Sequence, residues 1–217
     1  NPGGLAAVWA EERSRDAIFE AFRRRETFAT TGPRIAVRFF AGHDYPADLC
    51  DRSDLAAVGY AQGVPMGGDL PAGPGGAPRF VVRAEADPGT AAAPGAPLQR
   101  VQIVKGWIDA SGTARERVYD VAGDADGLAD VDPATCERSG TGHETLCAMW
   151  TDPEFDPDMP AFWYVRVLEV PTCRWSAYDC LSLDPTERPS VCTDPAFSHV
   201  IRERAWTSPV WWVPPAP

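Results

Sequence analysis

Residues 161–170 read Ala-Phe-Trp-Tyr-Val-Arg-Val-Leu-Glu-Val, where alternation of apolar and polar residues merges into a continuous apolar run. This pattern of aromatic and β-branched residues predicts a strand. Similar patterns predict further strands at 34–40, 79–84, 98–108, 115–121 and, in an aromatic stretch, 205–213. Long loops rich in Gly, Pro and Ala separate them, notably 63–78 and 87–97. Several strands joined by such loops, with no helical pattern between them, favour a β-sandwich over a βαβ fold.

One helix is predicted, near the start of the chain. Ser14 is a good N-cap, and Asp16 suits the positive end of the helix dipole. The expected apolar face consists of Ala17, Ile18, Ala21 and Phe22. Three arginines, Arg23, Arg24 and Arg25, fall at the predicted C-terminal end, where cations complement the exposed carbonyl groups. We interpret them as a solvated helix end, with an anion site as the alternative.

The chain has 217 residues and a formal net charge of −11, from 20 Lys+Arg against 31 Asp+Glu. This length fits one large domain, or one domain plus a fragment of another. The acidic charge argues against a nucleic-acid or anionic-membrane partner, because phosphate groups are repelled. No apolar run approaches the roughly 20 residues that span a bilayer. Among the basic residues, Lys105 is the sole lysine.

The six cysteines predict disulfides. They form no C-x-x-C pair, so a zinc site is not expected. Five of them lie in a segment rich in Pro, Asp, Ser and Thr: Cys136, Cys147, Cys173, Cys180 and Cys192. We expect a local Cys136–Cys147 bridge and at least one more among the last three, but the full connectivity, which includes Cys50, stays open. The alternative is six reduced thiols in a cytosolic protein.

Disulfides imply the periplasm or the cell exterior. The sequence begins without Met and without a basic leader, at Asn1. We therefore expect that a leader has been removed or that the sequence is internal to a longer protein.

The sequence contains no complete catalytic constellation. There is no Gly-x-Ser-x-Gly elbow, Walker loop or dinucleotide fingerprint, and the glycine-rich stretch 63–69 is interpreted as a turn. His43-Asp44 and His143-Glu144 pair an imidazole with a carboxylate, but isolated His residues of this kind are more often structural. Tryptophans could form a sugar-stacking face, with core packing as the default interpretation; those considered are Trp163, Trp175, Trp206, Trp211 and Trp212.

Blocks spread along the whole chain resemble a known family. Residues 4–12 read Gly-Leu-Ala-Ala-Val-Trp-Ala-Glu-Glu, residues 14–22 Ser-Arg-Asp-Ala-Ile-Phe-Glu-Ala-Phe, and residues 24–32 Arg-Arg-Glu-Thr-Phe-Ala-Thr-Thr-Gly. This stretch resembles the closing part of the polymerase-and-histidinol-phosphatase (PHP) metal-dependent hydrolase fold, and more specifically the bacterial domain-of-unknown-function 3604 family. The resemblance continues through 38–40, 63–70, 103–107, 165–169 and 204–209.

The resemblance implies a longer parent protein. Its upstream α/β barrel-like domain would bind catalytic divalent metals, Zn, Mn or Fe, through His, Asp and Glu side chains that precede residue 4. The family pattern therefore assigns no metal ligand and no cofactor to this chain, and the upstream domain of the same polypeptide is its expected partner. By analogy with the superfamily, the parent would hydrolyse a phosphate or similar ester.

We therefore expect a mainly β fold with a short α segment. Residues 1–32 would hold the last helix of a truncated barrel-like catalytic domain, and residues 33–217 a disulfide-stapled, β-sandwich-like accessory domain. The chain would be the inactive C-terminal fragment of a periplasmic or secreted hydrolase. Trp9, Glu11 and Arg25 are expected to face the missing active site. The alternative is a self-contained, non-catalytic secreted β-sandwich that binds glycan or protein.

Overall fold

The computed structural model describes residues 3–73, 76–127 and 129–215. Its strands are β1 (Leu5–Val8), β2 (Thr27–Thr30), β3 (Ala36–Gly42), β4 (Gly63–Pro65), β5 (Arg79–Glu85), β6 (Leu98–Ile108), β7 (Ala114–Gly123), β8 (Asp130–Val131), β9 (Arg138–Ser139), β10 (Thr145–Thr151), β11 (Ala161–Glu169), β12 (Thr172–Cys173), β13 (Val200–Ile201), β14 (Arg204–Thr207) and β15 (Val210–Trp212). Its helices are α1 (Arg15–Arg23), α2 (Leu55–Gln62) and α3 (Trp175–Ser182), with short 3-10 turns at Leu49–Asp51 and Ser190–Cys192.

The strands form two main antiparallel sheets. The larger has the order β1-β2-β14-β11-β6-β7, with β15 also paired to β11, and the smaller has the order β10-β5-β3-β4. Two-stranded ladders join β12 to β13 and β8 to β9. The prediction of a mainly β fold is confirmed. The single strand predicted at 205–213 is instead β14 and β15, because Pro209 between them has no backbone N–H to continue a ladder.

Strand β11 lies in the middle of the larger sheet and follows the predicted alternation. Trp163, Val165 and Val167 are fully buried on the inner face. On the outer face, Phe162 lies opposite Gly106 of β6. A Cβ atom at Gly106 would lie 2.2 Å from the Phe162 ring, so only glycine fits beneath this aromatic side chain.

The core lies between the two sheets. Phe39 and Phe80 stack with their ring centroids 5.7 Å apart, and Phe80 meets Trp163 of the opposite sheet at 5.0 Å. Phe40 points the other way, because successive side chains of a strand alternate between faces. It packs with Leu55 of α2 in a second apolar cluster outside the smaller sheet. The fold is therefore a sandwich with one outer face covered by a helix.

Lys105 is buried in an ion pair inside this core. Its Nζ lies 2.6 Å from Asp152 Oδ2 and also donates to the Glu154 carbonyl oxygen at 2.6 Å. The two paired side chains are only 6% and 0% exposed. The indole Nε1 of Trp163 donates to the same Asp152 carboxylate at 3.2 Å.

Helix α1 begins as predicted but does not bury the predicted face. The Ser14 side chain accepts a hydrogen bond from the Ala17 amide at 3.2 Å. Of the predicted apolar residues only Ala21 is fully buried, whereas Phe22 is 50% exposed and the neighbouring Phe19 is 60% exposed. The helix therefore carries an aromatic surface that the sandwich leaves uncovered.

Strands β1 and β2, from the predicted first domain, belong to the same larger sheet as strands from the rest of the chain. Strand β2 pairs with β14, so that Ala29 lies opposite Trp206. The predicted domain boundary after residue 32, with a truncated barrel on its N-terminal side, stays a prediction. None of the helices in ranges 3–73, 76–127 and 129–215 is long and apolar enough to cross a membrane.

All six cysteines form disulfides, but the predicted Cys136–Cys147 bridge is wrong. Cys147 pairs instead with Cys50, 97 residues away, and Cys136 pairs with Cys173. The reason is topological: β10 places Cys147 beside the 3-10 turn that carries Cys50, whereas Cys136 lies against β12. The Cys180–Cys192 bridge matches the expectation of a second disulfide in the C-terminal segment. Disulfides of this kind persist in oxidising compartments.

Candidate functional site

Trp9 lies at the end of β1 and is held on three sides. Its indole Nε1 donates to the Val37 carbonyl oxygen at 2.8 Å. The Arg38 guanidinium lies 3.6 Å from the centre of the indole ring, and the Phe28 ring packs against it at 5.8 Å. A guanidinium stacked on an indole at this distance is a cation–π contact, which fixes both side chains.

A hydrogen-bonded series continues from Arg38 into the protein. Arg38 Nη1 donates to the Tyr60 hydroxyl at 3.2 Å, and that hydroxyl donates to the buried Glu26 carboxylate. Arg24 also donates to Glu26, at 3.3 Å. Burial, and then the Glu26 carboxylate, raise the pKa of Tyr60, which therefore stays a hydrogen-bond donor at physiological pH.

Arg25 lies next to this series, and Glu11 does not. Arg25 adopts a left-handed backbone conformation (φ 60°), and its Nη2 donates to Asp69 at 3.3 Å. Gly67 is required beside it, since a Cβ there would lie 2.2 Å from the Arg25 carbonyl oxygen.

The Trp9 amide donates to the Glu26 carbonyl oxygen at 3.1 Å, so Trp9 and Arg25 share one end of the β1–β2 pair. Glu11 is exposed in the loop between β1 and α1. That these three residues face an active site stays a prediction.

A cavity lies beside α3, and we refer to it as the α3 cavity. Its volume of about 880 Å³ is within the range of small-molecule sites. It is lined by α3, the 3-10 turn at Ser190–Cys192, the β12–β13 ladder and the end of β2. The Cys180–Cys192 disulfide ties α3 to the 3-10 turn and so holds one wall in place.

Glu203 of the cavity lining has a second glutamate, Glu169, as its neighbour. Glu203 lines the α3 cavity, and its carbonyl oxygen accepts a hydrogen bond from the Glu169 amide at 2.9 Å. Glu169 is only 2% exposed. Burial, with the nearby Glu203 and Asp87 carboxylates, raises the pKa of Glu169 to about 8, while Arg138 opposes the shift. Glu169 is therefore mostly a neutral carboxylic acid at pH 7, a state typical of residues at functional sites.

Within ranges 3–73, 76–127 and 129–215, several polar atoms here have no hydrogen-bond partner. They are Glu169 Oε1, Glu203 Oε2 and both ring nitrogens of His199, all buried. Buried polar atoms are usually paired, and leaving one unpaired costs about 1–3 kcal/mol. Three of these atoms belong to His199 and Glu203, which line the α3 cavity, and this is a sign of a ligand site.

Glu169→Gln is expected to stabilise the protein at high pH. Below the unfolded pKa of 4.5 the carboxyl is protonated in both states. Between pH 4.5 and about 8 the unfolded chain ionises first, so stability falls through this window and stays low above it. The glutamine variant has no such ionisation, and at pH 9 its free energy of unfolding should exceed that of the parent by about 1–3 kcal/mol.

Urea unfolding at pH 5 and pH 9 measures this difference. The exposed Glu187→Gln variant is the matched control and should follow the parent at both pH values. An unchanged pH dependence in Glu169→Gln would show that another group is responsible.

The sequence analysis missed Glu169 as a site residue. It stands in the apolar run Val-Leu-Glu-Val at 167–170, and a lone acid inside such a run was the available signal. Its partner Glu203 comes from a strand end that no pattern connects to it.

His43 and His143 have ordinary structural partners, the Pro71 carbonyl oxygen at 3.0 Å and Asp124 at 3.0 Å. In the part of the chain that the structure describes, no group of three or more His, Cys, Asp or Glu residues could hold a metal ion.

Comparison with known proteins gives one match. The model of a family described as "Protein of unknown function (DUF3604)" matches residues 1–214. No curated protein and no solved structure matches the chain.

Proposed function

This chain belongs to the DUF3604 family, and from that premise we propose that it is the β-rich accessory part of a PHP-like metal-dependent hydrolase. The hydrolase acts in the periplasm or outside the cell, where its three disulfides persist. Its catalytic metals, Zn, Mn or Fe, belong to an upstream domain of the same polypeptide. We assign the metal-dependent steps to that upstream domain, where the family resemblance places the metal ligands.

The observation that carries this proposal is the uncovered aromatic surface of α1. Phe19 and Phe22 are 60% and 50% exposed, in the segment that resembles the end of a catalytic domain. Exposed apolar side chains that lie together are typical of a surface that contacts another domain. We propose that the upstream domain packs on α1 and that Trp9, Glu11 and Arg25 lie along the edge of that contact.

The alternative, a glycan-binding module, has less support. Trp163 and Trp212 are buried in the core, which agrees with the default interpretation of these residues. Trp175 and Trp211 are exposed, but Trp175 lines the α3 cavity, whereas Trp211 packs beside Phe162 of the larger sheet.

The proposal is tested by comparing this chain with a longer product of the same gene that includes the upstream His-bearing motifs. We expect the longer product to contain stoichiometric Zn, Mn or Fe by mass-resolved metal analysis. It should hydrolyse bis(4-nitrophenyl) phosphate and stop when the metal is chelated. Stoichiometric metal together with hydrolysis in the 217-residue chain alone would contradict the proposal.

The contact itself is tested by mixing this chain with the separately prepared upstream domain. The double substitution Phe19→Asp and Phe22→Asp should abolish co-elution on size exclusion. Ile108→Asp, at an equally exposed apolar residue on β6, is the matched control and should leave co-elution intact. Equal co-elution of both variants would rule out α1 as the contact surface.

A further inference from the structure

The walls of the α3 cavity are mainly apolar. Trp175 and Leu183 come from α3 and its C-terminal end, Val191 from the 3-10 turn, and Phe197 from the loop before β13. Phe197 lines the cavity, and half of its surface is exposed. Such walls suit a ligand with an apolar body, because contact with it removes these side chains from water.

The part of the lining formed by His199 and Glu203 is polar. Glu203 Oε2 and both His199 ring nitrogens are buried and have no partner among the described residues. Glu169 lies directly behind Glu203, to whose carbonyl oxygen its amide is hydrogen-bonded. An ionised carboxylate has no proton to donate, so its oxygens can only accept hydrogen bonds. A partner for the ionised Glu203 side chain is therefore a hydrogen-bond donor.

The charge of the site indicates which kind of donor. Of the described lining residues, Asp179 and Glu203 are acidic and Arg174 is basic. Glu169, next to Glu203, is mostly neutral at pH 7 and adds no charge, and Glu203 Oε2 has no partner among the described residues. The carboxyl groups of Glu203 and Asp179 outnumber the single guanidinium of Arg174, so the lining favours a cation over an anion. Trp175 also offers an exposed indole face, to which cations bind.

We propose that the α3 cavity binds an organic cation with an apolar body, whose ammonium or guanidinium group donates to Glu203. The body of the ligand lies against Trp175, Val191 and Phe197. The Cys180–Cys192 disulfide keeps the cavity formed without ligand, which lowers the entropic cost of binding. Binding also brings a positive charge close to Glu169, which favours loss of its proton. The inference is independent of the hydrolase assignment.

The probe is 4-phenylbutylamine, compared with the neutral 4-phenylbutanol and the anionic 4-phenylbutyrate. Affinities are measured at pH 7.5 by ligand-observed NMR titration of the full 217-residue chain. The amine should bind at least about tenfold more tightly than the alcohol, since a hydrogen bond to a charged group contributes about 1.5–3 kcal/mol. The butyrate should bind more weakly than either.

Two variants separate the parts of the site. Glu203→Gln should weaken amine binding about tenfold and leave the alcohol unchanged, whereas Phe197→Ser should weaken both ligands. Glu187→Gln is the matched charge control and should bind as the parent does. Unaltered near-ultraviolet circular dichroism shows that each variant is folded.

Several results would overturn the inference. Equal affinity for amine and alcohol would show an apolar pocket without charge selection. Tighter binding of the butyrate, or of a neutral oligosaccharide, would assign the cavity to a different class of ligand. An unchanged amine affinity in a folded Glu203→Gln variant would remove the carboxylate from the site.

Discussion

Replacing Cys50 and Cys147 together by alanine is expected to lower the free energy of unfolding by about 4 kcal/mol. The bridge joins residues 97 apart in sequence, so its loss frees a long loop in the unfolded chain. It also joins the 3-10 turn at Leu49–Asp51 to β10, across the cluster that contains Phe40 and Leu55. Because domains of this size are stable by only about 5–15 kcal/mol, the variant should be close to unfolding at physiological temperature.

The matched control is the double alanine variant of Cys180 and Cys192. This bridge closes only 12 residues in the wall of the α3 cavity, and loop-closure entropy predicts a smaller loss of about 3 kcal/mol. Guanidinium unfolding of the oxidised proteins compares the two. If removal of the shorter bridge lowers the free energy of unfolding as much as removal of the longer one, loop length does not determine the stabilisation.

Lys105→Met is expected to destabilise the protein by about 3–5 kcal/mol. The substitution keeps the apolar volume of the side chain but leaves the buried Asp152 carboxylate without its cation. Asp152 keeps the hydrogen bond from Trp163 Nε1 at 3.2 Å and one from the Glu154 amide at 2.9 Å. Neither supplies a full positive charge, so the ionised carboxylate stays uncompensated in the core.

A second variant tests whether charge, rather than packing, is the cause. The double variant Lys105→Met, Asp152→Asn should recover a large part of the loss, because the amide is neutral and its oxygen can still accept the indole hydrogen bond. Arg23→Met, which breaks the exposed Arg23–Glu20 pair, should leave stability close to that of the parent. Equal losses for the single and double variants would assign the effect to packing.

Of the six described strands with seven or more residues, five could be predicted, because the alternation of apolar and polar residues is visible over that length. The prediction for β6 matches its bounds, Leu98–Ile108, and β11 differs by one residue. Strand β10 was missed: its inner residues include the small Ala148, and its Cys147 was assigned to a local bridge. Helix α2 was missed because its sequence, Leu-Ala-Ala-Val-Gly-Tyr-Ala-Gln, is apolar nearly all round and has no helical period to detect.

Features that depend on distant residues could not be predicted. Cys50 and Cys147 meet only because β10 is the strand next to β5, a pairing with no local sequence signal. The exposure of Phe22 could not be predicted either. The periodicity of a sequence shows that a helix has an apolar face, but it does not show what covers that face. Two of the predicted site residues, Trp9 and Arg25, lie close together. Glu169 and Glu203 were not predicted as site residues, because they come together only through the pairing of β11 with β14.

The burial of Lys105 has a practical consequence for chemical labelling. Lys105 is the only lysine in these 217 residues, and its ammonium is engaged with Asp152 and shielded from solvent, so amine-directed reagents find no accessible lysine side chain in this part of the protein when it is folded. A succinimidyl ester reaches Lys105 only when the core around the Lys105–Asp152 pair opens. The extent of acylation at Lys105, measured by peptide mass spectrometry, therefore reports on opening of the sandwich.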